Sequence, residues 1–301
     1  MKYSLLYVSM ISTALLTSCS GEVSSNFAGG RSSAANAELT LSVTDAAIDN
    51  ATEVTVQFTA IEIKPADGPA ISHILASPMS VNLLSLQGSL SEAFFNDLEV
   101  PSGSYNWIRL SIKSVSGERD SYIVFNDGSE YELSIPSGSQ SGLKIISNFE
   151  LDANKATAMT IDFDLRKSIV AASGGYVLKP ALRLIADDQS VTLQGSVDTA
   201  LTLGANCSDS NPDSGNAVYV YVGSGVTPYD VSTSTGPFTT ALIDSSNGDY
   251  EIGFLPAGDY TVAFTCMADL DDPEADDTIV FQSVTNVSLS LPVNSGSASN
   301  R

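Results

Sequence analysis

One short pattern occurs twice in this chain: an apolar residue, Pro, a small residue, Gly, any residue and Tyr. It reads VPSGSY from Val100 and LPAGDY from Leu255, and an alternating apolar run follows each copy. Proline fixes φ at about −65°, glycine permits a positive φ, and the alternating run is typical of a half-buried strand. One copy in each half of the chain therefore predicts two domains rich in β-structure.

Short alternating runs separated by turn residues fill most of the chain. They predict an all-β fold of two β-sandwich domains, immunoglobulin-like or prealbumin-like. A capping box over Ser89-Leu90-Ser91-Glu92 predicts one helix at residues 93–98, and Trp107 is expected in a core. The predicted strands are residues 105–115, 121–125, 130–135, 143–151, 157–165 and 176–185, followed by 190–197, 217–223, 238–243, 249–254, 259–266, 278–282 and 285–291.

The N-terminus has the pattern of an exported lipoprotein. An apolar stretch from Leu5 to Leu16 ends in Leu16-Thr17-Ser18-Cys19, which resembles the lipobox of bacterial lipoproteins. We predict a signal peptide over residues 1–18, an acylated Cys19 that carries palmitate as a membrane anchor, and a flexible tether to residue 37. Ser20 rather than Asp follows the cysteine, and the resemblance to lipoprotein sorting then implies the cell outer membrane. The alternative is an ordinary secretory leader.

The net charge of −22 over 301 residues limits the partners of the folded body. Such an acidic surface repels nucleic acid phosphates and anionic head groups, so we predict no nucleic acid partner. Contact with the lipid bilayer is expected only through the acyl anchor. An envelope protein or a glycan remains as a partner.

Five motifs in the first half resemble a bacterial family known as domain of unknown function 4382. The resemblance covers residues 38–186 and implies an exported lipoprotein with no assigned activity and no catalytic residues. The motifs are TDAAI (44–48), NLLSLQG (82–88), IPSGSQSGLK (135–144), IDFDLRKSIV (161–170) and GYVLKPALRL (175–184).

The fourth motif contains a polar cluster. In a strand from Thr160 to Ser168, Asp162, Asp164 and Arg166 alternate with apolar residues and therefore share the outer face. They form either a ligand surface or exposed ion pairs, which contribute about 0–1 kcal/mol each.

The second half, residues 187–292, is the more acidic one. From residue 187 to the end of the sequence there are 16 Asp and Glu, against Arg301 as the only Lys or Arg. The segment DYEIGFLPAGDYTV (249–262) resembles transthyretin-like, carboxypeptidase-regulatory-like modules, whose hallmark is a structural turn. Residues 293–301 are predicted to be a disordered tail.

Two cysteines of the second half, Cys207 and Cys266, are expected to form a disulfide in an oxidising compartment; free buried thiols are the alternative. Carboxylate-rich loops follow both, and a disulfide would bring these loops together. Oxygen ligands from irregular loops favour Ca²⁺ over Mg²⁺, although the EF-hand pattern is not met, and a solvated acidic surface is the alternative. The predicted ligands are Asp209, Asp213, Asp269, Asp271, Asp272, Glu274, Asp276 and Asp277.

The sequence offers little catalytic chemistry. His73 is the only histidine, and its apolar surroundings favour a partly buried strand residue over a general base. We predict a non-catalytic surface lipoprotein that binds a partner or acts as a scaffold, with no cofactor other than Ca²⁺. A calcium-dependent structural or adhesive module is the first alternative, and a carboxylate-based hydrolase is the second.

Overall fold

The computed structural model describes residues 35–46, 48–135, 142–204, 207 and 214–292. The predicted signal peptide, Cys19, nearly all of the tether, Asp209, Asp213 and the predicted tail lie outside these residues. The described residues are nearly all β-structure, which confirms the all-β class. Their single α-helix, α1, spans only Leu165–Ser168.

The N-terminal module (residues 35–186) has two sheets. One is a four-stranded sheet in the order β12-β9-β1-β4, and the other has the order β10-β11-β7-β6-β2-β5-β8, with β3 also paired to β2. The strands are β1 (Asn36–Ala46), β2 (Ala51–Pro65), β3 (Ile71–Asn82), β4 (Glu92–Pro101), β5 (Gly103–Lys113), β6 (Tyr122–Phe125), β7 (Glu130–Ser134), β8 (Leu143–Leu151), β9 (Ala156–Asp164), β10 (Ile169–Ala172), β11 (Gly175–Leu178) and β12 (Leu182–Ala186).

The two sheets enclose one hydrophobic core. Leu41 and Val43 of β1 and Phe163 of β9 meet Phe58 and Ile61 of β2, all with no measurable solvent exposure. β1 lies in the middle of its sheet, antiparallel to β4 and parallel to β9. The face of this sheet that turns away from the core carries polar residues at alternate positions.

The C-terminal module (residues 187–292) is built in the same way. A two-stranded sheet, β13-β16, packs on a four-stranded sheet, β15-β14-β17-β18, and Leu193, Val218 and Phe264 lie in the core between them. The strands are β13 (Ser190–Ser196), β14 (Ala217–Val222), β15 (Thr239–Leu242), β16 (Asp249–Pro256), β17 (Gly258–Thr265) and β18 (Ser283–Leu289).

The Cys207–Cys266 disulfide is present, which confirms the predicted pairing. It joins the end of β17 to a segment 59 residues earlier in the chain. The predicted strand at residues 278–282 does not form.

The repeated turn makes the same strand connection and the same hydrogen bond in both modules. It connects β4 to β5 and β16 to β17, and in each copy the tyrosine hydroxyl donates a hydrogen bond back to the proline carbonyl. Tyr105 and Tyr260 are both buried. The hydrogen bond pins the turn to the strand that follows it.

Two expectations about the N-terminal module are wrong. Residues 92–101 form strand β4, not a helix, because pairing with β1 satisfies their backbone groups and buries Phe94 and Val100. Trp107 lies on the outer face of β5, because a β-bulge between Tyr105 and Trp107 shifts the alternation of the strand by one residue. There it lies 4.5 Å from the Lys144 ammonium.

The two modules belong to one compact unit. The division at residues 186 and 187 into two separate domains therefore stays a prediction. Among the described residues, no helix has the length and apolar character needed to cross a membrane.

Candidate functional site

Arg166 connects the two modules. Strand β9 ends at Asp164, whose side chain accepts a hydrogen bond from the Lys167 amide and so begins α1. The turn of α1 directs the Arg166 guanidinium towards the C-terminal module, where it donates to the Ala268 carbonyl (2.7 Å) and the Thr240 hydroxyl (3.2 Å). The buried charge of Arg166, a residue of the N-terminal module, is thus stabilised partly by groups of the C-terminal module.

Asp49 of the N-terminal module balances this charge. Its carboxylate lies 2.7 Å from the Arg166 guanidinium, and both side chains are more than nine-tenths buried. Burial disfavours the charged guanidinium, but the attraction and hydrogen bond of Asp49 outweigh it and raise the pKa of Arg166. The second Asp49 oxygen accepts from the Gly215 amide (3.2 Å) across the same interface.

Asp162 and Arg183 form a second ion pair at the interface. They lie opposite each other on β9 and β12, and the Arg183 guanidinium also donates to the Phe238 carbonyl. The guanidinium carbon stacks 4.0 Å from the centre of the Phe238 ring. Burial lowers the pKa of Arg183 to about 10, so the side chain stays charged at neutral pH.

The predicted cluster of Asp162, Asp164 and Arg166 is therefore not a solvent-facing surface. The residues are only 5%, 4% and 5% exposed, because the C-terminal module covers this end of the sheet. Alternation along β9 places Asp162 and Asp164 on the face away from the core, but Arg166 belongs to α1. The sequence carried no signal that this face would be covered.

A cleft of about 520 Å³ opens beside the interface. Segments 44–46 and 87–90 of the N-terminal module form one wall, and segments 239–244 and 249–253 form the other. Close contacts join the walls at one end: the Glu251 carboxylate accepts from the Ser89 amide (2.9 Å), and the Gly253 amide donates to the Gly88 carbonyl (3.1 Å).

Asp45 is a buried carboxyl group at the cleft. It is 5% exposed, and neither oxygen accepts a hydrogen bond from any residue that the structure describes. Burial raises the pKa of Asp45 well above its usual range and the Asp164 carboxylate raises it further, whereas the nearby Leu165 amide lowers it. The physical consequence is a carboxyl group whose neutral form the fold favours.

A different acidic cluster lies within the C-terminal module. One carboxylate oxygen each of Asp230, Asp271 and Asp277 lie within 4.8 Å of one another. The sequence predicted Asp271 and Asp277 as ligands but missed Asp230, which lies in the loop between β14 and β15. The sequence signal for a site here is the carboxylate density next to the cysteines, and Asp230 is remote from both cysteines in sequence.

The other predicted metal ligands that the structure describes do not join this cluster, and Asp209 and Asp213 lie outside the described residues. Glu274 forms an ion pair with Lys179 (2.7 Å), and Asp272 accepts from the amide of Glu274 (2.8 Å). Asp276 is exposed, and Asp269 lies outside the group of converging carboxylates.

The N-terminal module matches a known family model. Residues 36–180 match the family described as Domain of unknown function (DUF4382). This segment is therefore similar to DUF4382 domains. The match contains Asp45, Asp49 and Arg166, whereas β12 with Arg183 follows it. The matched segment thus supplies most of the polar face on which the C-terminal module packs.

Comparisons of the whole chain do not assign it to a further family. No curated protein matches it. The structure is similar to the Bacillus anthracis TIE protein, with 13% identity over 85% of this chain and a TM-score of 0.19, but the chain spans only 32% of that protein. A Parabacteroides distasonis protein whose description proposes a role in cell adhesion is 9% identical over 84% of both chains, with a TM-score of 0.20. TM-scores this low carry no information on fold or function.

Proposed function

We propose that the protein is a non-catalytic lipoprotein of the outer membrane, anchored through Cys19, whose two modules together bind a polar partner. The observation that carries this proposal is the cleft, because both modules form its walls. Hydrogen bonds from Arg166 to Thr240 and Ala268, and from Gly215 to Asp49, connect the modules beside it. A preformed concave site at a module boundary is a common location for ligands.

The chemistry of the cleft favours a partner rich in hydrogen-bond donors. Its exposed polar lining comes from Gln87, Ser89, Asp244 and Asp249, with the half-buried Glu251 beside them, and these side chains offer mainly acceptor oxygens. Sugar hydroxyls and protein ammonium groups donate to such oxygens, whereas phosphates are repelled. A glycan or a basic segment of an envelope protein fits these requirements.

Three of the carboxylates at the cleft are poorly suited to acid–base catalysis. Asp162 is paired with Arg183, and hydrogen bonds from Ser89 and Gln194 lower the pKa of Glu251. Burial raises the pKa of Asp45, as suits a general acid, but both of its oxygens are shielded from solvent. These observations support binding over the hydrolase alternative.

Anchoring is tested by Cys19→Ser. We expect wild-type protein in the membrane fraction with the mass of an acylated N-terminus, and the variant in the soluble periplasmic fraction. A variant that stays in the membrane fraction with unchanged mass would contradict the anchor.

Binding is tested with a photo-cross-linking residue at Gln87 on the cleft rim, and with the same residue at Ser77 on β3 as the control. Outer membranes should give a specific glycan or protein adduct at Gln87 alone. Equal labelling at both positions would contradict the cleft as the binding site. A partner whose mass changes on incubation would indicate catalysis instead.

A calcium-dependent structural module is the second proposal. It is supported by the convergence of Asp230, Asp271 and Asp277. In that case the cation stabilises the C-terminal module. The cleft then has no binding role and results only from the packing of the two modules.

A further inference from the structure

Three carboxylates converge between two loops of the C-terminal module. Asp230 comes from the loop after β14, and Asp271 and Asp277 come from the loop after β17. Asp230 and Asp271 are 3% and 7% exposed, so two of the three negative charges lie away from water. Asp277 is half-buried and connects the cluster to solvent.

Hydrogen bonds fix the positions of these side chains but leave part of the cluster without a partner. Asp271 accepts from the Tyr219 hydroxyl (2.7 Å) and the Val231 amide (3.2 Å). One Asp230 oxygen accepts from the Ser232 hydroxyl (2.9 Å) and the Asp277 amide (2.7 Å). The other Asp230 oxygen, Oδ1, is buried and accepts from no group that the structure describes.

This unpartnered oxygen is a second observation, separate from the clustering. An ionised carboxylate oxygen that is buried without a partner is costly, and a cation or a proton removes the cost. In the described part of the chain, no Lys or Arg forms an ion pair with any of the three carboxylates; the nearby Arg166 is paired with Asp49. A cation bound from solution would supply the positive charge that the described side chains do not.

We propose that Asp230, Asp271 and Asp277 form a calcium site that fastens the loop after β14 to the loop after β17. The inference deepens the second proposed function and is independent of the lipid anchor and the cleft. Water completes the coordination on the side of Asp277.

The ligand set favours Ca²⁺ over Mg²⁺. Mg²⁺ demands near-ideal octahedral geometry at about 2.0–2.1 Å, whereas Ca²⁺ accepts irregular arrangements of oxygens at about 2.3–2.6 Å, and here the carboxylates come from two loops. The three oxygens lie within 4.8 Å of one another, so one cation can contact all of them.

The site is close to the interface between the modules. Tyr219, which donates to Asp271, lies 5.7 Å from the Arg166 guanidinium, and Ala268, which accepts from Arg166, precedes Asp271 by three residues. Calcium at the cluster should therefore stabilise the loop that receives Arg166 as well as the C-terminal module.

The test is calcium binding by the full chain after treatment with a chelator. Isothermal titration with CaCl₂ should give one site with a Kd on the order of 10⁻⁴ to 10⁻³ M, the range of extracellular modules. At a calcium concentration ten times Kd, the folding equilibrium constant should rise about elevenfold. This corresponds to a melting temperature several degrees higher than in MgCl₂ or in NaCl of equal ionic strength.

Asp230→Asn and Asp277→Asn should each abolish the calcium-specific shift. Asp276→Asn is the matched control, because it removes the same charge from an exposed neighbour, and it should keep the shift. If Asp230→Asn fails to fold, the more exposed Asp277→Asn carries the test.

Tyrosine-sensitised Tb³⁺ luminescence gives a second readout, because Tyr219 donates to a ligand. Calcium should quench this luminescence by competition in wild type and in Asp276→Asn. Equal shifts in CaCl₂ and NaCl, equal Tb³⁺ signals in all three variants, or no binding at 10 mM calcium would each overturn the proposal.

Discussion

Arg166→Ala tests the central claim that the buried polar contacts hold the two modules together. The substitution leaves the Asp49 carboxylate, 7% exposed, without its counter-ion. It also removes donors to Ala268 and Thr240. Breaking a buried ion pair from one side costs about 3–5 kcal/mol, whereas an exposed pair of the kind expected from the sequence would cost about 0–1 kcal/mol.

The assay is unfolding of the full chain by heat and by urea. For a protein of this size, 1 kcal/mol corresponds to about 2–4 °C, so the melting temperature should fall by roughly 6–20 °C. Arg119→Ala is the control, because Arg119 pairs with Glu130 on the surface and 56% of its side chain is exposed. The control should unfold at the wild-type midpoint.

A double-mutant cycle separates the ion pair from the other contacts. Asp49→Asn alone should also destabilise, and the Asp49→Asn/Arg166→Ala variant should lose clearly less than the sum of the two single losses. An Arg166→Ala variant within 1 kcal/mol of wild type, or strictly additive losses, would refute the reasoning.

Three further predictions follow from single contacts. Asp45→Asn should match wild type in stability at pH 3 and exceed it at pH 8, as melting curves at both pH values will show. The raised pKa of Asp45 means that its contribution is complete below the unfolded-state pKa of about 3.9 and is lost as pH rises through the folded-state pKa. Gly253→Ala should loosen the cleft, since a Cβ there would lie 2.5 Å from the Gly88 carbonyl oxygen; faster amide exchange at residues 88–90 is the readout. Tyr260→Phe should cost about 0.5–1.5 kcal/mol in urea unfolding, because it removes the hydrogen bond to Pro256.

Each of the three has an outcome that contradicts it. For Asp45→Asn it is a stability difference independent of pH, and for Gly253→Ala it is wild-type exchange at residues 88–90. For Tyr260→Phe it is an unchanged urea midpoint.

Local patterns predicted much of the fold. Alternating runs gave most strands of both modules, because a sheet with one buried face imposes a period of two on its sequence. The repeated turn identified the starts of β5 and β17. The two cysteines and an expected oxidising compartment were enough to predict the disulfide.

Long-range contacts account for the errors. The capping box at Ser89 is a valid local signal, but pairing with β1, over 40 residues earlier, decides the structure of residues 92–101. A single bulge moves Trp107 from the core face to the outer face, and bulges have no reliable sequence signature.

The candidate site was only half predictable for the same reason. Asp271 and Asp277 lie in one carboxylate-rich segment, so the sequence alone predicts them as ligands. Asp230 reaches them only through the packing of two loops. The C-terminal module likewise covers Arg166 through contacts between residues 74 to 102 positions apart.

The position of β1 has a mechanical consequence. Strand β1 follows the predicted tether directly, and it is hydrogen-bonded along both edges, to β4 and to β9. A pull on the N-terminal end of Asn36 is therefore directed along the strand, and two rows of hydrogen bonds share the load in shear instead of opening one after another. Tension on the predicted tether would therefore pass through β1 into the middle of the four-stranded sheet.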